Sequence, residues 1–244
     1  MSVTHDSGDV ARHWPLVAVL GTLAVSNVMA NEVLPDWAYI PWNCALAVAL
    51  VALAMRGDGC GADDLGLATR RLPEGLRWGT VVSVGVLVVY LVAVALPATR
   101  ALFDDDRADV GLSDVLWRTL VAIPFGTVLM EEIAFRGALP AMLRRRTTNL
   151  RNGPLVADLV SAGMFGLWHV LPSLDLTEAN PTVSGMLPGP VGTTLSVLAA
   201  VAGTAVAGMV LSWLRNRSGS LLAPAMLHCS VNSIGYTFAW LVQR

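Results

Sequence analysis

The chain has 244 residues, 55% hydrophobic and 14% charged, with a mean hydropathy of +0.60, a balance outside the range of soluble domains, so lipid is the solvent for much of its surface. A net charge of −2 provides no electrostatic footprint for nucleic acid. The three cysteines, Cys44, Cys60 and Cys229, show no Cys-x-x-Cys spacing, which excludes a disulfide framework and a thiolate zinc site.

A bilayer core roughly 30 Å thick requires about 20 apolar residues of helix. Seven runs approach that length: Trp14 to Ala30, Trp37 to Met55, Trp78 to Leu96, Val115 to about Leu143, Leu155 to Leu174, Val191 to Leu214, and Leu221 to Val242. The first follows a polar stretch holding His5, Arg12 and His13. No small-x-small cleavage site follows it and further spans do, so it is expected to be a retained anchor. Several runs begin with Trp, as interfacial anchors do. Gly, Pro, Asp and Arg gather between the runs, as in Arg56 to Arg77 and Asp175 to Pro190. Within the first of these, Leu65 to Trp78 reads as a short helix lying on the membrane surface. The expected fold is an all-α polytopic transmembrane helical bundle of seven spans, or eight. Residues 1–244 form a single membrane domain, in which residues 1–113 carry spans without motifs and residues 114–244 a motif-bearing core.

Arginine placement sets the orientation. Arg12, Arg56, Arg70, Arg71, Arg77, Arg144, Arg145, Arg146, Arg151, Arg215 and Arg217 all fall on one side of a seven-span arrangement. The other side receives Arg100, Arg107 and Arg244, and collects Asp104, Asp105, Asp106, Asp109, Asp175 and Glu178. The positive-inside rule then makes this a multi-pass cell-membrane protein with a cytoplasmic N-terminus.

Ionisable side chains at bilayer depth cost several kcal/mol each, so every one found there needs a partner or a purpose. Arg118 lies near a span end and can snorkel. The rest are Glu131, Glu132, Arg136, His169 and His228. Glu132 and Arg136 stand four apart on one helix face in the acid-before-base order and can neutralise each other. Glu131 is offset by about 100° and is left available for chemistry. His228 and Asn232 are also four apart on one face. Counting about 1.5 Å of rise per residue from the cytoplasmic helix ends puts Glu131 roughly 18 Å in, His169 roughly 22 Å, His228 roughly 14 Å and Asn232 roughly 20 Å. Three helices with no local reason to agree thus bring their polar groups to one level. Each group also has a structural reading: Glu132 with Arg136 as an ion pair, the histidines and Asn232 as interhelical glue, and Phe165 and Trp168 as packing.

Glu-Glu-x-x-x-Arg (Glu131 to Arg136), Phe-x-x-x-His (Phe165 to His169) and His-x-x-x-Asn (His228 to Asn232), in that order on separate apolar helices, resemble the CAAX prenyl endopeptidase and bacteriocin-processing family of intramembrane glutamic proteases. The resemblance covers roughly Val115 to Val242, with Leu65-Gly66-Leu67 as a minor further cue. It implies a peptidase in which Glu131 and His169 activate a water while His228 and Asn232 stabilise the oxyanion. Glu132 and Arg136 would hold Glu131 in place, with Phe165 beside them. Ser230 is next to His228 in sequence, but adjacent helix positions face apart, which argues against a serine nucleophile. Glu with two His is a legitimate zinc set, yet there is no His-Glu-x-x-His and Asn232 is a poor zinc ligand, so the expectation is no cofactor and no metal, with a zinc peptidase as the alternative mechanism. The implied partners are the lipid bilayer and a membrane-associated or lipidated peptide or protein substrate. Rival readings are a non-catalytic scaffold or bacteriocin self-immunity protein, and a proton-coupled transporter, which would show paired broken helices in two halves that this sequence lacks.

Overall fold

The computed structural model describes residues 7–179 and 189–244, with side chains for residues 13–174 and from 189 onward. His5 and the side chains of Arg12, Asp175 and Glu178 lie outside the described residues. Helices account for all the regular structure, and no strand occurs among the described residues, as a bilayer core requires of any chain that does not close into a barrel. In chain order, leaving aside the single turn Pro97–Arg100, the helices are α1 (Ser7–Val28), α2 (Asp36–Ala52), α3 (Ala62–Leu65), α4 (Leu72–Ala95), α5 (Leu112–Arg146), α6 (Gly153–Trp168), α7 (Val170–Ala179), α8 (Gly189–Ser218), α9 (Leu222–Cys229) and α10 (Gly235–Val242). A wide π-helical turn at Ser230–Ile234 joins α9 to α10 without a break.

Five helices are long and apolar enough to cross a membrane: His13–Val33, Asp36–Gly57, Thr69–Ala95, Leu112–Arg146 and Gly189–Ser218. Length and apolarity thus do not reach the expected seven or eight, and the two shortfalls have separate causes. The run from Leu155 to Leu174 is not one helix, because α6 ends at Trp168 after 16 residues and the chain restarts as α7. Pro172 explains the interruption: it has no N–H to donate to the carbonyl four residues back, on Trp168. The stretch from Leu222 to Val242 is helical throughout, but His228, Ser230, Asn232, Ser233, Tyr236 and Thr237 lower its apolarity. The expected surface helix from Leu65 to Trp78 is also absent. α3 stops at Leu65 against Gly66 (φ +74°), and from Thr69 the chain runs straight into the span containing α4.

Packing is set by small residues and by a shared core. α6 lies against α8 so closely that a Cβ on Gly166 would sit 2.6 Å from the Val201 carbonyl oxygen, and one on Gly208 3.1 Å from the Ala162 Cβ, the close approach that small residues permit where no hydrophobic effect drives helices together. Phe135, Met130 and Leu139 of α5 are buried in one cluster with Val19 and Leu23 of α1, Leu46 and Leu50 of α2, Phe165 and Trp168 of α6, and Leu211 of α8. The two N-terminal helices are therefore built around α5, not appended to it.

Polar contacts tie the loops together at each end. At one end Arg144 donates to Asp158 (2.6 Å) and Asn216 (2.8 Å), and Arg146 donates to Asp58. Arg215 donates to the Asp63 and Asp64 carbonyls at the end of α3 (2.9 and 3.0 Å). At the other end Tyr236, Trp240 and Gln243 donate to the carbonyls of Arg107, Val110 and Asp105. Arg144 and Arg146 at the end of α5 and Arg215 near the end of α8 lie together at one end, with Arg107 and the C-terminal residues at the other.

Candidate active site

The site is built where α5, α6 and α9 meet, and the α-helical repeat gives way there. Within α5, wide π-helical turns at Arg118–Val128 and Ile133–Ala138 bracket the short α-helical piece Leu129–Glu132, and Ser230–Ile234 begins two residues after His228. Such turns re-aim side chains and recur at functional sites.

Glu131, Glu132, Arg136 and His228 are all buried, at 4%, 1%, 2% and 8% exposure, so each must be paired to persist. One oxygen of Glu132, Oε1, accepts from Arg136 Nη1 at 3.2 Å and from His228 Nδ1 at 2.8 Å. The Arg136 guanidinium also lies over the Phe165 ring, with its Cζ 3.9 Å from the centroid. Phe165 is the hub of the aromatic layer, packing edge-on against Phe135 (5.3 Å), His169 (4.5 Å) and His228 (5.9 Å between centroids).

His169 occupies the break between α6 and α7, half-buried, with its Nδ1 2.8 Å from the Phe165 carbonyl oxygen. A carbonyl only accepts, so the proton is assigned to Nδ1 and Nε2 is left with its lone pair. At His228, Nδ1 donates to the Glu132 carboxylate, and Nε2 is turned toward Glu131. Both imidazoles are thereby fixed in orientation by one nitrogen and offer the other.

Glu131 presents the complementary arrangement. Its Oε1 accepts from the Trp168 indole at 2.9 Å, while its Oε2 has no hydrogen-bond partner and lies 3.8 Å from His228 Nε2. That separation is too long for a direct bond and leaves a carboxylate oxygen facing an imidazole nitrogen. Asn232 is half-buried on the π-helical turn beyond His228, and its carboxamide makes no hydrogen bond among the described residues. Ser230 is engaged elsewhere, donating to Ser83 of α4 at 2.7 Å. Among the described residues no group of three or more His, Cys, Asp or Glu side chains comes together so as to hold a metal ion.

The structure thus brings together six of the seven residues singled out from the sequence: Glu131, Glu132, Arg136, Phe165, His169 and His228. Asn232 sits one turn from His228 without a hydrogen bond to the others among the described residues. One detail differs: Glu132 pairs with Arg136 as its spacing requires, but it holds His228, whereas the group that holds Glu131 is Trp168. The packing role expected for Trp168 is present as well, its ring lying 5.7 Å from Phe135. The only sequence signal for its second role is that a buried indole N–H needs an acceptor.

Residues 113–234, half of the chain, match the family model described as type II CAAX prenyl endopeptidase Rce1-like. The chain belongs to the Rce1-like family. The match begins just inside α5 and ends beyond Asn232, so it takes in every residue of the cluster and leaves α1, α2 and α4 outside. No curated protein and no solved structure matches the chain. Membership in this protease family, together with the apolar helices, makes this a multi-pass membrane protein.

Proposed function

We propose that the protein is an intramembrane endopeptidase that hydrolyses a peptide bond near a membrane-anchored end of its substrate, with a prenylated CAAX-type peptide as the substrate class the family suggests. The observation that carries this reading is the Glu131 carboxylate, buried, with one oxygen held by Trp168 and the other left open opposite His228 Nε2.

In the proposed reaction a water, activated by Glu131 with His169, attacks the scissile carbonyl carbon. The new C–O bond forms as the water proton passes to Glu131, and the carbonyl oxygen takes up negative charge. His228, carrying a proton on Nε2 as well as on Nδ1, and Asn232 donate to that oxyanion and stabilise it. Collapse of the tetrahedral intermediate breaks the C–N bond, and Glu131 returns the proton to the leaving amine. Glu132 and Arg136 act by fixing the His228 ring, and Phe165 by seating both imidazoles. Glu131, His169, His228 and Asn232 are the proposed catalytic residues, and the mechanism needs neither a metal nor an acyl-enzyme. The N-terminus is assigned to the cytoplasm on the arginine distribution.

Comparing the membrane peptidomes of cells carrying the wild-type protein and Glu131→Ala tests the proposal. The expected result is a peptide pair differing by one cut, with the shorter member missing in the variant. Identical peptidomes and an unchanged phenotype would instead favour a non-catalytic scaffold or immunity role.

A further inference from the structure

The family match begins at residue 113, yet one polar contact reaches the site from far outside it: Asn27 Nδ2, near the end of α1, donates to the Trp168 carbonyl at 2.9 Å. That carbonyl is an orphan for a reason visible in the sequence. It belongs to the last residue of α6, and its ordinary partner would be the N–H of residue 172, which is proline. Leaving a backbone carbonyl unpaired inside a bilayer costs free energy that the Asn27 amide removes. The same residue, Trp168, directs its indole N–H onto Glu131 Oε1 at 2.9 Å. Its neighbour His169 begins the break, its own carbonyl accepting from the Ser173 N–H at 3.0 Å. Asn27 therefore ties down the one point of backbone from which both Trp168 and His169 depart.

We propose that Asn27 and Trp168 are positioning residues for Glu131, a chain running from Asn27 through the Trp168 carbonyl and indole to the carboxylate, which makes α1 part of the site. The inference rests on the peptidase reading for its kinetic consequences, while the chain itself is a matter of hydrogen bonding. Trp168→Phe keeps an aromatic ring and removes only the donor. Asn27→Leu keeps the shape and removes the amide, and Asn27→Gln keeps a donor.

With a fluorogenic prenylated CAAX peptide and purified enzyme, Trp168→Phe is expected to lower kcat roughly 10- to 100-fold, the range seen when groups orienting a reactive residue are removed, with KM within about twofold. Asn27→Leu should lower kcat roughly tenfold, Asn27→Gln should recover most of it, and the double variant should be no worse than Trp168→Phe alone, because Asn27 acts through Trp168. Indole ¹⁵N–H spectra of the detergent-solubilised protein read the chain without any substrate. Of eight tryptophan signals, the one lost in Trp168→Phe should move in Asn27→Leu and in Glu131→Ala. A Trp168 signal unmoved in both variants overturns the proposal whether or not the wild type cleaves peptide. Multiplicative kcat losses in the double variant overturn the proposed order of action. A wild type that cleaves nothing, with the Trp168 signal moving as expected, overturns the peptidase reading and leaves the chain standing.

Discussion

The buried ion pair is the part of the site whose removal has the most calculable cost. The Glu132 and Arg136 side chains are 2% and 1% exposed and 3.2 Å apart, and Glu132 is also bonded to His228. Arg136→Met fills much of the same volume but strands Glu132 as an uncompensated buried charge beside a second carboxylate, Glu131. Breaking such a pair costs about 3–5 kcal/mol, and since about 1.4 kcal/mol is a factor of ten, the unfolding equilibrium should shift by roughly two to three orders of magnitude or more. Replacing both partners, as Glu132→Gln with Arg136→Met, removes the stranded charge and keeps an acceptor for His228 Nδ1, so most of the loss should be recovered. Equilibrium unfolding in mixed micelles, comparing wild type, both single variants and the double, measures the coupling directly. A single Arg136→Met variant as stable as wild type, or a double variant with the summed loss of the singles, would refute the assignment of Arg136 as the counter-charge of this cluster.

Other outcomes follow from individual residues. His169→Ala and His228→Ala should each abolish cleavage while the protein still inserts and folds, as judged by expression and gel filtration. Gly66→Ala should destabilise the protein by at least about 1–2 kcal/mol from its left-handed backbone alone; a Cβ there would also fall 2.2 Å from Arg215 Nε, and unfolding midpoints compared with Gly163→Ala, where nothing lies within 4 Å, isolate the effect. Burial first and the neighbouring Asp58 carboxylate second push the Cys60 thiol up to about 11. Its alkylation by a maleimide near neutral pH should then run roughly a hundredfold or more slower than that of a free thiol, accelerate only as pH rises toward that value, and become fast on denaturation; rapid labelling of the native protein at neutral pH would contradict this.

Much of the architecture was legible because membranes restrict the options. Hydropathy located the helices, and the fixed rise of a helix placed Glu131, His169 and His228 near one level before any contact was known. The i, i+4 spacing of Glu132 and Arg136 announced their pair, which survives even though Arg136 lies in a π-helical turn. Hydropathy failed where a local feature interrupts an apolar run: Pro172 breaks the fifth run at His169 without changing its average composition, whereas the expected run from Leu221 to Val242 is a continuous helix from Leu222 onward. What no local pattern carries is pairing at long range. That Trp168 holds Glu131 while Glu132 holds His228, that Arg215 caps α3 across 151 residues, and that Asn27 substitutes for the N–H missing at Pro172 all depend on which helices become neighbours.

The central claim, that Glu131 drives hydrolysis at this buried cluster, is tested most directly by incubating purified, exhaustively chelated enzyme with a prenylated CAAX peptide and identifying the products by mass spectrometry. The account expects one internal cut by the wild type, undiminished by chelation, and none by Glu131→Gln. Cleavage retained in Glu131→Gln would contradict it, and activity lost on chelation and restored by zinc would replace the metal-free mechanism.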